Sequence, residues 1–125
     1  EAVQNRYNGT KRNPFEHIES GVHYARALSA WSVLLALSGY EYDGVNSELT
    51  FAPKTNASDF RSFWSAGSAW GEISINNEEA KIEVLHGNLS LKKLSIQNPQ
   101  NDSLKTWNFE NEKTVTEGNS LIVSF

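Results

Sequence analysis

Six side chains able to do acid, base or hydrogen-bond chemistry fall within one short stretch: Glu16, His17, Glu19, His23, Tyr24 and Arg26. Carboxylates accept from hydroxyls, an arginine fork donates in fixed geometry, and a tyrosine stacks or donates, so such a set can clamp a polyhydroxylated ligand. The same residues also suit a structural role, in which a glutamate at a helix start pairs with an arginine two turns later. Glu19, His23 and Arg26 stand at i, i+4 and i+7 and share a helical face within about 40°, which fits both readings. Metal chemistry fits neither. His17 and His23 lack the i, i+4 spacing of a helical zinc pair, Glu19 with His23 supplies only two ligands, and the chain has no cysteine. No metal or cofactor is expected, and disulfides are excluded.

The elements that must hold these residues follow from the local sequence. Residues 1–12 are polar, carry an Asn8-Gly9 turn signal and read as a loop. Asn13, Pro14 and Glu16 form a helix-start pattern, and Ser20-Gly21 offers a second start, so the expectation is a short turn followed by a main helix over about 20–38. Ser38-Gly39 ends it, with glycine able to take the left-handed conformation. Between those ends, apolar residues from Val22 to Leu37 occupy nearly every face in the second half, the pattern of a helix surrounded by other elements.

After Gly39 the period changes from helical to alternating. "YEY", Asp43-Gly44 and "ELTFAP" predict a hairpin. "DFRSFWSAGSAW" is aromatic and ambiguous. Ile73 and Ile75, then Ile82 and Val84, then Leu89 and Leu91 alternate with polar residues, separated by turns at Asn76-Asn77 and Gly87-Asn88. Lys92-Lys93 shifts the alternation by one before Leu94 and Ile96, which predicts a bulge or a change of strand. "LKTWNF", "KTVT" and "SLIVSF" add further strands, with a turn at Gly118-Asn119. The expected fold class is α+β: one long apolar helix, then an antiparallel β-rich region over about 40–125.

The 125 residues suffice for one domain with a core, so residues 1–125 are expected to form a single compact unit, with the helix inside segment 13–39. Eleven basic against fifteen acidic residues give a net charge of −4, and the basic residues are scattered, which argues against nucleic acid as a partner. The longest apolar run, "WSVLLAL", is far shorter than a membrane span. Nothing near Glu1 has the charged, apolar and small-residue pattern of a leader. Four Asn-x-Ser/Thr sequons, at Asn8, Asn56, Asn88 and Asn101, arise easily in a chain rich in Asn and Ser.

The segment "RNPFEHIESGVHYARALSAWSVLLALSGYEYDGVNSELTFAP" resembles the C-terminal catalytic-domain signature of glycoside hydrolase family 116, the non-lysosomal glucosylceramidase or bile-acid β-glucosidase type. The resemblance rests on Asn13, Pro14, Phe15, Glu19, Gly21, His23, Tyr24 and Arg26, on Gly39-Tyr40 and on Phe51-Ala52-Pro53. It continues through "FRSFWSAGSAWGEISI" to about residue 96. Two positions depart from the family pattern. His17 stands where the first motif acid falls, with Glu16 beside it, and Ser20 stands where the family has cysteine.

The resemblance implies the closing helix and β-tail of an (α/α) toroid glycosidase, with Arg26, Glu19, His23, Tyr24, Glu16 and His17 as glucose-binding residues. Retaining glycosidases act through two carboxylates about 5 Å apart. In this family both belong to segments upstream of the motif, and no pair here replaces them. The expected function is therefore that of a C-terminal fragment or degenerate relative of a retaining β-glucosidase. It would take a glucoside or other carbohydrate ligand and be inactive alone. Its apolar helix would pack on its own sheet, on the missing upstream catalytic region, or on a second copy. The alternatives are a non-catalytic carbohydrate-binding or protein-interaction β-module, with Trp64, Trp70 or Trp107 as an aromatic platform, and a structural domain with no ligand.

Overall fold

The computed structural model describes residues 27–125. The chain divides into two units, Glu1–Val33 and Leu34–Phe125, with the boundary inside helix α1, Ala27–Ser38. The second unit holds every strand of the described residues. These are β1 (Glu41–Asp43), β2 (Glu48–Phe51), β3 (Asp59–Ala66), β4 (Ala69–Asn76), β5 (Glu79–Gln97), β6 (Leu104–Thr116) and β7 (Ser120–Ser124).

β5 organises the sheet. Its first part pairs antiparallel with β4 (Ile73 opposite Ile82) and with β7 (Ile82 opposite Leu121). Its last part pairs antiparallel with β6 (Leu94 opposite Trp107) and parallel with β2 (Leu94 opposite Leu49). Hairpin partners β1 and β3 extend the two ends, giving the order β1-β2-β5-β4-β3, with β6 and β7 also on β5.

A strand of 19 residues at about 3.3 Å each would run about 60 Å if straight, twice the ~30 Å width of a small domain. It must bend, and the sequence supplies two places. Leu85 has no partner on β4, because Trp70 pairs with His86 while Gly71 pairs with Val84; Gly87 follows at φ 79°. A second shift lies between Leu91 and Lys93, where the lysine pair predicted it; there the backbone N–H of Lys92 turns aside to the Ser47 carbonyl at 2.8 Å. Each irregularity resets which residues face inward. Ala80, Ile82 and Val84 are followed by Leu89 and Leu91, then by Leu94 and Ile96, all fully buried in one cluster with Leu49, Phe51 and Ile73. One curled sheet thereby encloses a continuous core with its own two ends.

Close backbone approach fixes the crossing of β4 and β5. A Cβ on Gly71 would sit 1.8 Å from the Glu83 carbonyl oxygen and 3.0 Å from the Trp64 ring. The end of α1 is tied to the strand region: Gly39 takes φ 57°, the Ser38 hydroxyl donates to the Leu34 carbonyl at 2.8 Å, and the Lys54 N–H donates to the Leu37 carbonyl at 2.8 Å. Carbonyls left open by the last helical turn are thus satisfied by the segment after β2.

This architecture corrects the expected fold class. The described residues are mostly β around a curled, barrel-like sheet with one short helical segment, Ala27–Ser38, and do not have the architecture of a long apolar helix (about 20–38) followed by the β-tail of a toroid. A closing helix needs cover on all faces, yet Leu35 and Leu37 remain 48% and 44% exposed, and only Ser38 in this half of the helix is buried. Core formation falls instead to the alternating segments, whose inward faces pack on one another. The sheet is also not wholly antiparallel, since β2 joins β5 in parallel. Gly87-Asn88 is a bend within a continuous strand and not a chain reversal, and "LKTWNF" and "KTVT" belong to the single strand β6. The chain reverses where the sequence predicts, after Asp43 at the end of β1, after Asn76 at the end of β4, and at Gly118-Asn119 between β6 and β7.

Gly71→Ala should lower stability by about 2 kcal/mol or more, because backbone must move to admit the methyl group. Gly67→Ala, where nothing lies within 4 Å of the added carbon, should change it by less than about 0.5 kcal/mol. Urea unfolding of both variants checks the contrast; equal stability would mean the β4–β5 crossing is looser than described.

Candidate functional site

The residues singled out for sugar contact, Glu16, His17, Glu19, His23, Tyr24 and Arg26, lie outside the described residues. Of the three tryptophans considered for a platform, Trp64 points inward and is 1% exposed, so it belongs to the core; its indole N–H meets no acceptor among the described residues. Trp107 is half-buried against Phe125, with ring centroids 6.1 Å apart, and carries the Lys105 ammonium 5.3 Å above its ring. Trp70 alone of the three projects from the sheet, at 42% exposure.

Strand alternation decides this sorting. On β3, Phe60, Trp64 and Ala66 are buried while Arg61, Phe63 and Ser65 face out. On β4, Ala69, Gly71, Ile73 and Ile75 are buried while Trp70 and Glu72 face out. Pairing then aligns the outward sets: Ser65 opposite Trp70, Phe63 opposite Glu72, Trp70 opposite His86, and Glu72 opposite Glu83. Three rings from three adjacent strands result. Phe63 and Trp70 have centroids 6.3 Å apart at 39°, and Trp70 and His86 have centroids 5.9 Å apart at 32°.

This aromatic ledge is bordered by charge. Arg61 meets Glu72 at 3.8 Å, Lys81 meets Glu83 at 2.9 Å, and all four side chains are well exposed. Two glutamates directly opposite one another on an antiparallel pair repel, and the flanking cations offset that repulsion only in part because exposed pairs contribute little. At the far end the Glu117 carboxylate accepts from the Gly87 N–H at 3.1 Å and lies 3.1 Å from His86 Nδ1. The ledge thus offers flat ring faces beside carboxylate acceptors and cationic donors. Among the described residues no group of three or more His, Cys, Asp or Glu side chains could hold a metal ion.

Tyr40 braces the outer hairpin. Its hydroxyl donates to the Ser65 carbonyl at 2.5 Å, and its ring packs on Phe51 with centroids 5.4 Å apart. Ser65 is the direct partner of Trp70, so this bond fixes the strand beside the central ring of the ledge.

The sequence alone does not single out Phe63 or His86 as members of this ledge. The visible signal was alternation through "RSFWS", which places Phe63 and Trp64 on opposite faces; which of the two faces solvent depends on the β3–β4 register. His86 depends in addition on the unpaired Leu85. No protein-family model matches the chain, and no curated protein matches it.

Burial, with a smaller contribution from Tyr42, pushes the Tyr40 phenol from its usual 10 up to about 12. The fold therefore holds this proton more tightly than the unfolded chain. That stabilisation is fully present below about pH 10 and is lost as pH rises toward the folded value. Absorbance titration should show a late tyrosine ionisation that Tyr40→Phe removes; an unchanged titration in the variant would assign the late phenol elsewhere.

Proposed function

We propose that the chain is a non-catalytic carbohydrate-binding module that takes soluble β-glucosidic oligosaccharides on the Phe63–Trp70–His86 ledge. The observation that carries the reading is an aligned set of exposed rings, drawn from three strands, beside polar groups able to bond hydroxyls. A β-glucoside ring has equatorial hydroxyls and two apolar C–H faces, so it stacks on an aromatic ring while its edge meets carboxylates and cations. Adjacent rings of the ledge are tilted by 39° and 32°, which suits a twisted single chain and not a flat crystalline surface. Outward aromatics bordered by polar groups have the anatomy of a binding patch.

The sequence motif favours a second reading. In it the chain is a C-terminal fragment or degenerate relative of a retaining β-glucosidase, with Arg26, Glu19, His23 and Tyr24, joined by Glu16 and His17, as remnants of a glucose subsite. The "GVHYAR" motif supports it. Both readings involve a glucoside ligand, and both make the chain inactive alone because no opposed pair of catalytic carboxylates is assigned.

Calorimetric titration with cellohexaose separates them. Trp70→Ala should weaken binding at least about 10-fold, as loss of a central aromatic contact does, while Arg26→Ala should leave it unchanged. The reverse pattern would move the site to the motif, and no binding in the wild type would refute the ledge. Hydrolysis of an aryl β-glucoside by the chain alone would overturn both readings.

A further inference from the structure

A cavity of about 250 Å³ opens at the β3 edge, where Leu34 and Leu37 of α1 and Phe60 give it apolar walls and Asn56, Asp59 and Arg61 give it polar ones. We propose that this cavity receives the terminal sugar of the chain that stacks on the ledge, so that the module recognises glycan ends and not internal segments. The inference rests on the carbohydrate reading of the ledge.

Three observations connect the two places. Arg61 lines the cavity and also reaches Glu72 at 3.8 Å, and Glu72 is the strand partner of Phe63, the first ring of the ledge. Arg61 and Phe63 are two residues apart on the outward side of β3, a step of about 7 Å. That step is close to the centroid spacings of 6.3 and 5.9 Å along the ledge itself. The cavity thus begins one outward position along β3 from the first ring, where a sugar chain leaving the ledge past Phe63 would arrive.

The size and lining of the cavity set what enters it. Its 250 Å³ lies below the ~300–1,000 Å³ of pockets that hold drug-sized ligands, which leaves room for one pyranose and not for a chain. Its apolar walls suit the C–H face of that ring, while the Asp59 carboxylate, the Asn56 amide and the Arg61 guanidinium suit the hydroxyls exposed at a chain end. Leu34 and Leu37, from the end of α1, form one wall against which the face of a terminal sugar ring would rest.

The test compares binding of cellohexaose, cellohexaose methylated at its non-reducing 4-hydroxyl, and borohydride-reduced cellohexaose to wild type, Asp59→Asn, Arg61→Ala and Trp70→Ala. The expected result is that one end modification weakens wild-type binding about 10-fold. Asp59→Asn and Arg61→Ala should lose that discrimination, and Trp70→Ala should weaken all three ligands. Equal binding of the three ligands by wild type, with Trp70→Ala still weakened, overturns end recognition and leaves the ledge intact. Discrimination that persists in both cavity variants likewise overturns the assignment of the cavity. Absence of any Trp70-dependent binding overturns the ledge and this proposal together.

Discussion

Everything in this structure depends on one strand serving two sets of neighbours. β5 gives its first half to β4 and β7 and its second half to β2 and β6. A straight strand of that length could not keep one core on its inner side. Bends at Leu85–Gly87 and at Lys92 let it follow the core round, and each moves the apolar residues back to the inner face after the curvature has turned it. Gly87 is required at the first bend, since a Cβ there would come within 2.1 Å of the Ser68 carbonyl oxygen in an already left-handed conformation.

The same constraint builds the ledge. Inward burial of Trp64, Ile73 and Ile82 commits Phe63 and Trp70 to the outer surface, because strand neighbours point to opposite sides. The unpaired Leu85 then brings His86 directly opposite Trp70. Without that extra residue the third ring would be out of line. Core packing and the exposed aromatic ledge are thus two consequences of one register, and the Glu72–Glu83 opposition is a local cost carried at the surface.

The fold was legible where its causes are local. Alternation through Ile73 to Val84, the turns at Asn76-Asn77 and Gly118-Asn119, and the shift at Lys92-Lys93 follow from side-chain period and turn chemistry. What depends on distant pairing was not legible. The parallel union of β2 with β5 and the single run of β6 have no local signature. Gly87-Asn88 resembles a hairpin turn because a bend and a reversal use the same residue type. The apolar run in α1 suggested burial on all sides, whereas Leu35 and Leu37 stay about half exposed. Of the candidate site, Trp70 was legible only as one of three tryptophans able to form a platform. Its separation from Trp64 and Trp107 was not, because all three are tryptophans in alternating segments and only the register sorts them. The motif residues from Glu16 to Arg26 lie outside the described residues, so their resemblance stands on sequence alone.

The four tryptophan indole N–H groups provide the most direct measurement of the central claim, that register alone makes Trp70 the ligand-facing tryptophan. In a nitrogen-15 correlation spectrum titrated with cellohexaose, the Trp70 indole signal should move progressively to saturation while those of Trp64 and Trp107 stay fixed. Saturating shifts confined to Trp64, Trp107 or Trp31, with Trp70 unmoved, would contradict the account.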